Sequence, residues 1–89
     1  MKSYKFIVSG TVQGVYYRKS VSNKATLAGF NGYVKNLNDG RVEAAVTCKS
    51  KSLEEFMGIL MSGSPSSEVK QIEKYHFEES FNRGFEIKY

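Results

Sequence analysis

Between Tyr4 and Val12 every second residue shares a side: Tyr4, Phe6, Val8, Gly10 and Val12 against Lys5, Ile7, Ser9 and Thr11. That period of two predicts a strand with one buried face. Beyond a short loop, Tyr17, Val21, Ala25 and Ala28 recur at helical spacing, and Gly29 stands where a left-handed residue would close the helix. A first helix is therefore expected from about Tyr17 to Ala28. Phe30 to Leu37 and Arg41 to Cys48 read as strands, joined by Asn38-Asp39-Gly40, whose residues suit a tight hairpin. In the next segment Ser52 and Glu55 have the spacing of a capping box, and Leu53, Phe56, Met57 and Leu60 form an apolar stripe ended by Gly63 and Pro65. This predicts the second helix. Val69 to Phe77 is a less regular strand, with Val69, Ile72 and Phe77 set among charges, and Phe85 to Tyr89 alternates again.

The order strand, helix, strand, strand, helix, strand is that of a ferredoxin-like βαββαβ α+β sandwich, an antiparallel sheet with two helices on one face. With 89 residues there is room for one domain, expected to span 1–89. Hydrophobic residues at 40% and charged residues at 25% match an ordinary globular chain that folds alone. The apolar run near the N-terminus stops at Ser9-Gly10, too short for a signal sequence or a spanning helix, so a cytoplasmic protein without a membrane partner is expected. A single cysteine, Cys48, forbids an internal disulfide, and with His76 the only histidine, zinc lacks ligands. The net charge of +4 suits an anionic partner, either a phosphorylated metabolite or a nucleic acid.

The candidate chemistry lies at the first strand–helix junction, Gly10-Thr11-Val12-Gln13-Gly14-Val15-Tyr16-Tyr17-Arg18. A loop that runs straight into a helix N-terminus presents unpaired N–H groups and the positive end of the helix dipole to an anion. Gly14 permits close backbone approach, and Arg18 can offer a fork to phosphate oxygens. Cationic Arg18 opposes the dipole, so its position costs stability unless an anion is bound. Alone, the loop fits an anion site and a plain turn with a surface Arg equally well. Lys19-Ser20 is preceded by Arg18 where a nucleotide P-loop requires Gly, which disfavours nucleoside triphosphate hydrolysis.

Asn36 is the second candidate. In the expected topology the second strand runs parallel to the first, so its C-terminal end reaches the edge of the sheet where the loop lies. If Val34 packs under the helices, alternation points Asn36 toward the start of the first helix, where its amide can hold a water. The alternative is an Asn that only leads into the turn at Asn38-Asp39-Gly40.

Together these stretches resemble the acylphosphatase family. Gly10 to Arg18 matches its first signature, Gly32-Tyr33-Val34-Lys35-Asn36-Leu37-Asn38-Asp39-Gly40-Arg41-Val42-Glu43 its second, and Phe85 to Tyr89 its usual ending. Tyr17, Tyr33 and Lys35 depart from the commoner Phe, Trp and Arg. The resemblance implies that the backbone of Gln13-Gly14-Val15-Tyr16-Tyr17-Arg18 and the Arg18 side chain bind phosphate while Asn36 orients the attacking water. It implies an acyl phosphate substrate, inorganic phosphate as product, and neither cofactor nor metal. A monomer is expected.

The residues agree with that chemistry. Expelling a carboxylate of pKa about 4 needs no general acid. Neither signature contains His or Cys to help a poorer leaving group or to act as nucleophile. Two other classes compete. An RNA-recognition module shares the topology, and Gly29 to Val34 partly imitates its aromatic motif, though on the second strand rather than the third. A noncatalytic anion sensor would keep the loop without needing Asn36. His76 and Cys48 are expected to be structural, and Tyr16, Tyr17, Tyr33 and Tyr89 to serve packing first, with Tyr16 or Tyr17 able to line the mouth of the site.

Overall fold

The alternation near the N-terminus becomes β1 (Lys2–Thr11) in the computed structural model, which describes residues 1–89. Tyr4, Phe6, Val8 and, just beyond the strand, Val12 are buried. The chain continues through α1 (Tyr17–Leu27), β2 (Asn31–Asn36), β3 (Val42–Cys48), a single 3-10 turn (Ser50–Ser52), α2 (Leu53–Ser62), β4 (Glu68–Phe77) and β5 (Phe85–Lys88). The sheet order is β4-β1-β3-β2-β5. β1 runs antiparallel to β3 and β4, and β2 antiparallel to β3, so β1 and β2 point the same way and end at one edge.

This is the expected ferredoxin-like sandwich, with one addition. β5 pairs with β2 in parallel, Val34 opposite Ile87, so the sheet is mixed rather than wholly antiparallel. The fifth strand carries Ile87 and Tyr89 to the edge where the phosphate loop is expected.

The core lies between the sheet and the helices. Phe56 of α2 is fully buried against Phe6, Phe30 and Phe85, with ring centroids 5.2–5.9 Å apart. Each such side chain contributes about 1.5–3 kcal/mol by burial. Val21 and Ala25 of α1, Val34 of β2 and Leu60 of α2 complete the layer. α1 closes as its sequence predicts: Gly29 is left-handed at φ 81°, its N–H donates to Thr26 O, and Phe30 N–H donates to Ala25 O at 2.9 Å.

The start of α2 differs. Ser52 has helical dihedrals and makes no capping bond; its N–H is taken by Lys49 O in the preceding turn. A side-chain cap needs an extended residue at that position, so the Ser52–Glu55 box does not form. β4, the irregular stretch in sequence, pairs with β1 along its length as an edge strand. Its Glu68, Lys70 and Lys74 are exposed, as charges at edges that discourage further pairing are. No helix is long and apolar enough to cross a membrane.

Candidate active site

β1 reaches its end through a bulge between Ser9 and Gly10. Gly10 sits at φ 133°, where a Cβ would overlap the carbonyl oxygen of Glu68. Such a bulge bends a strand and re-aims the chain beyond it, which here is the loop from Val12 to Tyr16. Gly14 takes φ 74°, and Tyr16 takes φ 61° as the only non-glycine residue with positive φ. A left-handed conformation at a side-chain-bearing residue costs about 1–2 kcal/mol. The surroundings must hold it there.

Three anchors do so. Gln13 Nε2 donates to Leu37 O at 2.8 Å and to Arg41 O at 2.9 Å, clamping the loop to the β2–β3 turn. Ser64 Oγ donates to Val15 O at 2.5 Å from the segment after α2. The hydroxyl of buried Tyr17 donates to Leu60 O at 2.8 Å, and burial pushes its phenol pKa well above the ordinary value.

Thus fixed, the loop leaves its donors free. The first N–H taken up by α1 is that of Ser20, which donates to Tyr16 O at 3.0 Å. Those of Gly14, Val15 and Tyr16 have no protein acceptor, and those of Tyr17, Arg18 and Lys19 precede the helix ladder. No acidic residue occupies the first turn. The result is a run of donors at the positive end of a helix dipole.

Of this run, Gly14, Tyr16, Tyr17, Arg18 and Lys19 border a cavity of about 330 Å³ whose walls also include Asn36 and Tyr89. Arg18 joins no carboxylate. Its Nη1 donates to Lys88 O at 3.2 Å, and its guanidinium lies 4.8 Å from the centre of the Tyr89 ring. Asn36, one residue pair beyond buried Val34, opens onto the same space, and its Oδ1 is buried without a hydrogen-bond partner. A buried amide oxygen left unpaired costs stability unless a ligand or water satisfies it. No Asp, Glu, His or Cys borders the cavity. Asp39 is occupied by Arg41 in the turn, and Glu43 accepts from the Tyr33 hydroxyl and pairs with Lys35. No group of three His, Cys, Asp or Glu residues is arranged to hold a metal ion.

The sequence-predicted residues divide accordingly. Gly14, Tyr16, Tyr17, Arg18 and Asn36 meet at the cavity. Gln13 and Val15 do not line it; the Gln13 side-chain nitrogen and the Val15 carbonyl oxygen are taken by the anchors. Sequence reasoning does not reach Ser64 or Ile87, and it gives Tyr89 only a packing role. The alternation of Phe85, Ile87 and Tyr89 is a usable signal for the last two, whereas nothing local marks Ser64. The aromatic stretch at Phe30 to Tyr33 offers no stacking platform for bases: Phe30 is in the core, and Tyr33, 4% exposed, lies under Phe81 at 5.5 Å.

Comparison with known proteins concerns the chain as a whole. Residues 4–87 match the family model described as Acylphosphatase. The chain is 38% identical over 86 residues to an acylphosphatase of Alkalilimnicola ehrlichii, covering 97% of each chain. It is 42% identical over 84 residues to one of Vibrio cholerae, covering 93% of this chain and 92% of the other. Among solved structures, the acylphosphatase from Bacillus subtilis superposes with a TM-score of 0.91 at 36% identity, each chain covered in full.

Proposed function

The chain belongs to the acylphosphatase family and is an enzyme of that kind, and from this premise we propose that Arg18 and the loop backbone hold the phosphoryl group while Asn36 aims the attacking water. Two observations carry this reading: Asn36 lines the cavity that Arg18 borders, and its buried Oδ1 has no hydrogen-bond partner. An amide oxygen accepts an O–H of water and so turns the water's lone pair toward what lies beyond it, here the phosphorus of a group seated on the loop. Water forms the new P–O bond as the acyl O–P bond breaks, giving a carboxylate and inorganic phosphate. Such transition states spread charge over the equatorial phosphoryl oxygens, which the free N–H groups and the guanidinium are placed to stabilise. The water's proton passes to a phosphate oxygen, since no Asp, Glu, His or Cys borders the cavity. The carboxylate leaves without a proton, its pKa being about 4.

In this reading all groups come from one chain, no metal takes part, and a soluble acyl phosphate is met in the cytoplasm. The test is hydrolysis of benzoyl phosphate by the purified protein, with and without a chelator. Activity is expected in both, and loss with the chelator refutes the metal-free route. An Asn36→Ala protein that turns over at the parental rate refutes the role given to Asn36.

A further inference from the structure

Ser64 lies outside both sequence signatures and outside the cavity, yet it is only 5% exposed and its hydroxyl donates to Val15 O, 49 residues away. Its own place is fixed closely. Ser67 Oγ accepts from Ser64 N–H and donates to Ser64 O, each at 2.9 Å, and Ser67 N–H also donates to Ser64 O. Just before it, Lys24 Nζ donates to Gly63 O at 2.7 Å, and Gly63 packs against the ring of Tyr17. The hydroxyl thus projects from a braced turn rather than from a free loop.

A trans peptide unit points its C=O and N–H in opposite directions. Holding Val15 O toward Ser64 therefore turns Tyr16 N–H the other way, and Tyr16, unlike Val15, lines the cavity with Gly14 and Arg18. The alternative orientation is close at hand, because Tyr16 occupies a left-handed conformation at φ 61° that a flip of the Val15–Tyr16 peptide would relieve. A flip would replace a donor by a carbonyl oxygen, which repels a phosphoryl oxygen.

Resting on the reading of this loop as the phosphoryl cradle, we infer that Ser64 is a positioning residue: it locks the Val15–Tyr16 peptide so that an N–H rather than a C=O meets the substrate. It touches neither substrate nor water, and acts only through that peptide.

The test titrates inorganic phosphate into 15N-labelled parental, Ser64→Ala, Ser64→Thr and Ser64→Cys proteins, following the amides of Gly14 to Lys19 and the unfolding midpoint. Ser64→Ala is expected to bind phosphate about tenfold more weakly, the scale of one lost neutral hydrogen bond, and to lose the phosphate-induced shift of the Tyr16 amide. Ser64→Thr, which keeps the hydroxyl, restores both. Ser64→Cys keeps the volume with a weak donor and behaves as Ser64→Ala does, which covers the case in which the alanine protein does not fold. A lower unfolding midpoint with parental phosphate affinity and a parental Tyr16 shift overturns the inference and leaves the cradle standing. Should phosphate move none of these amides in the parental protein, the cradle itself is wrong and Ser64 falls with it.

Discussion

The side-chain amide of Gln13 bridges both sides of the β2–β3 turn, donating from one nitrogen to the carbonyl oxygens of Leu37 and Arg41. The amide therefore ties the loop to the turn just after Asn36. Gln13→Ala removes two hydrogen bonds, at about 0.5–1.5 kcal/mol each, from carbonyls that keep the backbone donors Gly40 N–H and Leu37 N–H. For a domain of this size the thermal midpoint falls by roughly 5–15 °C. Calorimetry on the purified variant checks this. Gln13→Glu, which sets a carboxylate against the same two oxygens, is expected to fall at least as far.

Arg18 and Asn36 fail differently when changed. Asn36→Ala lowers kcat by at least about 10²-fold, as loss of a group acting on the transition state does, while inhibition by inorganic phosphate stays within about threefold of parental. Arg18→Ala weakens phosphate inhibition and kcat together. Arg18→Lys retains charge without the planar fork and recovers only part of the loss. Steady-state rates with phosphate as inhibitor separate these outcomes.

Gly10 is the position at which a side chain fits least well beside the site. Its φ of 133° and the overlap of a Cβ with Glu68 O leave Gly10→Ala both strained and crowded. A loss of at least about 2 kcal/mol is expected, read as a lower urea midpoint at unchanged slope.

Two buried phenols make the fold sensitive to high pH. Burial raises the pKa of Tyr17, and burial together with the hydrogen bond to Glu43 raises that of Tyr33. Both are held neutral in the native state while the unfolded chain releases their protons from about pH 10. Their contribution is therefore full below that pH and is lost as the pH rises toward the folded-state values. Phenolate absorbance should show Tyr17 and Tyr33 ionising together with the loss of native circular dichroism, and Tyr17→Phe should move the alkaline transition upward.

Much of this arrangement is legible in the sequence because the signals are local. The alternation of β1, the Gly29 stop of α1 and the Asn38-Asp39-Gly40 turn each specify their own conformation, and the shared direction of β1 and β2 then brings Arg18 and Asn36 together. The features that escape depend on distant neighbours. Ser52 matches a capping pattern, but the 3-10 turn before it, one element earlier, has already taken its N–H. The tie from the Gln13 side chain to the β2–β3 turn is not legible, because its acceptors are 24 and 28 residues away. β5 can be read as a strand, but its parallel pairing with β2 arises from tertiary packing.

The bonds that fix the loop also join Val15 to a residue 49 positions away and Arg18 to one 70 positions away. Contacts of such sequence separation are expected to form late, because closing long loops is entropically costly. An anion accordingly recognises the finished topology and little before it. Added phosphate should leave the refolding rate almost unchanged and slow unfolding. On the proposed function, this loop thus also reports when folding is complete.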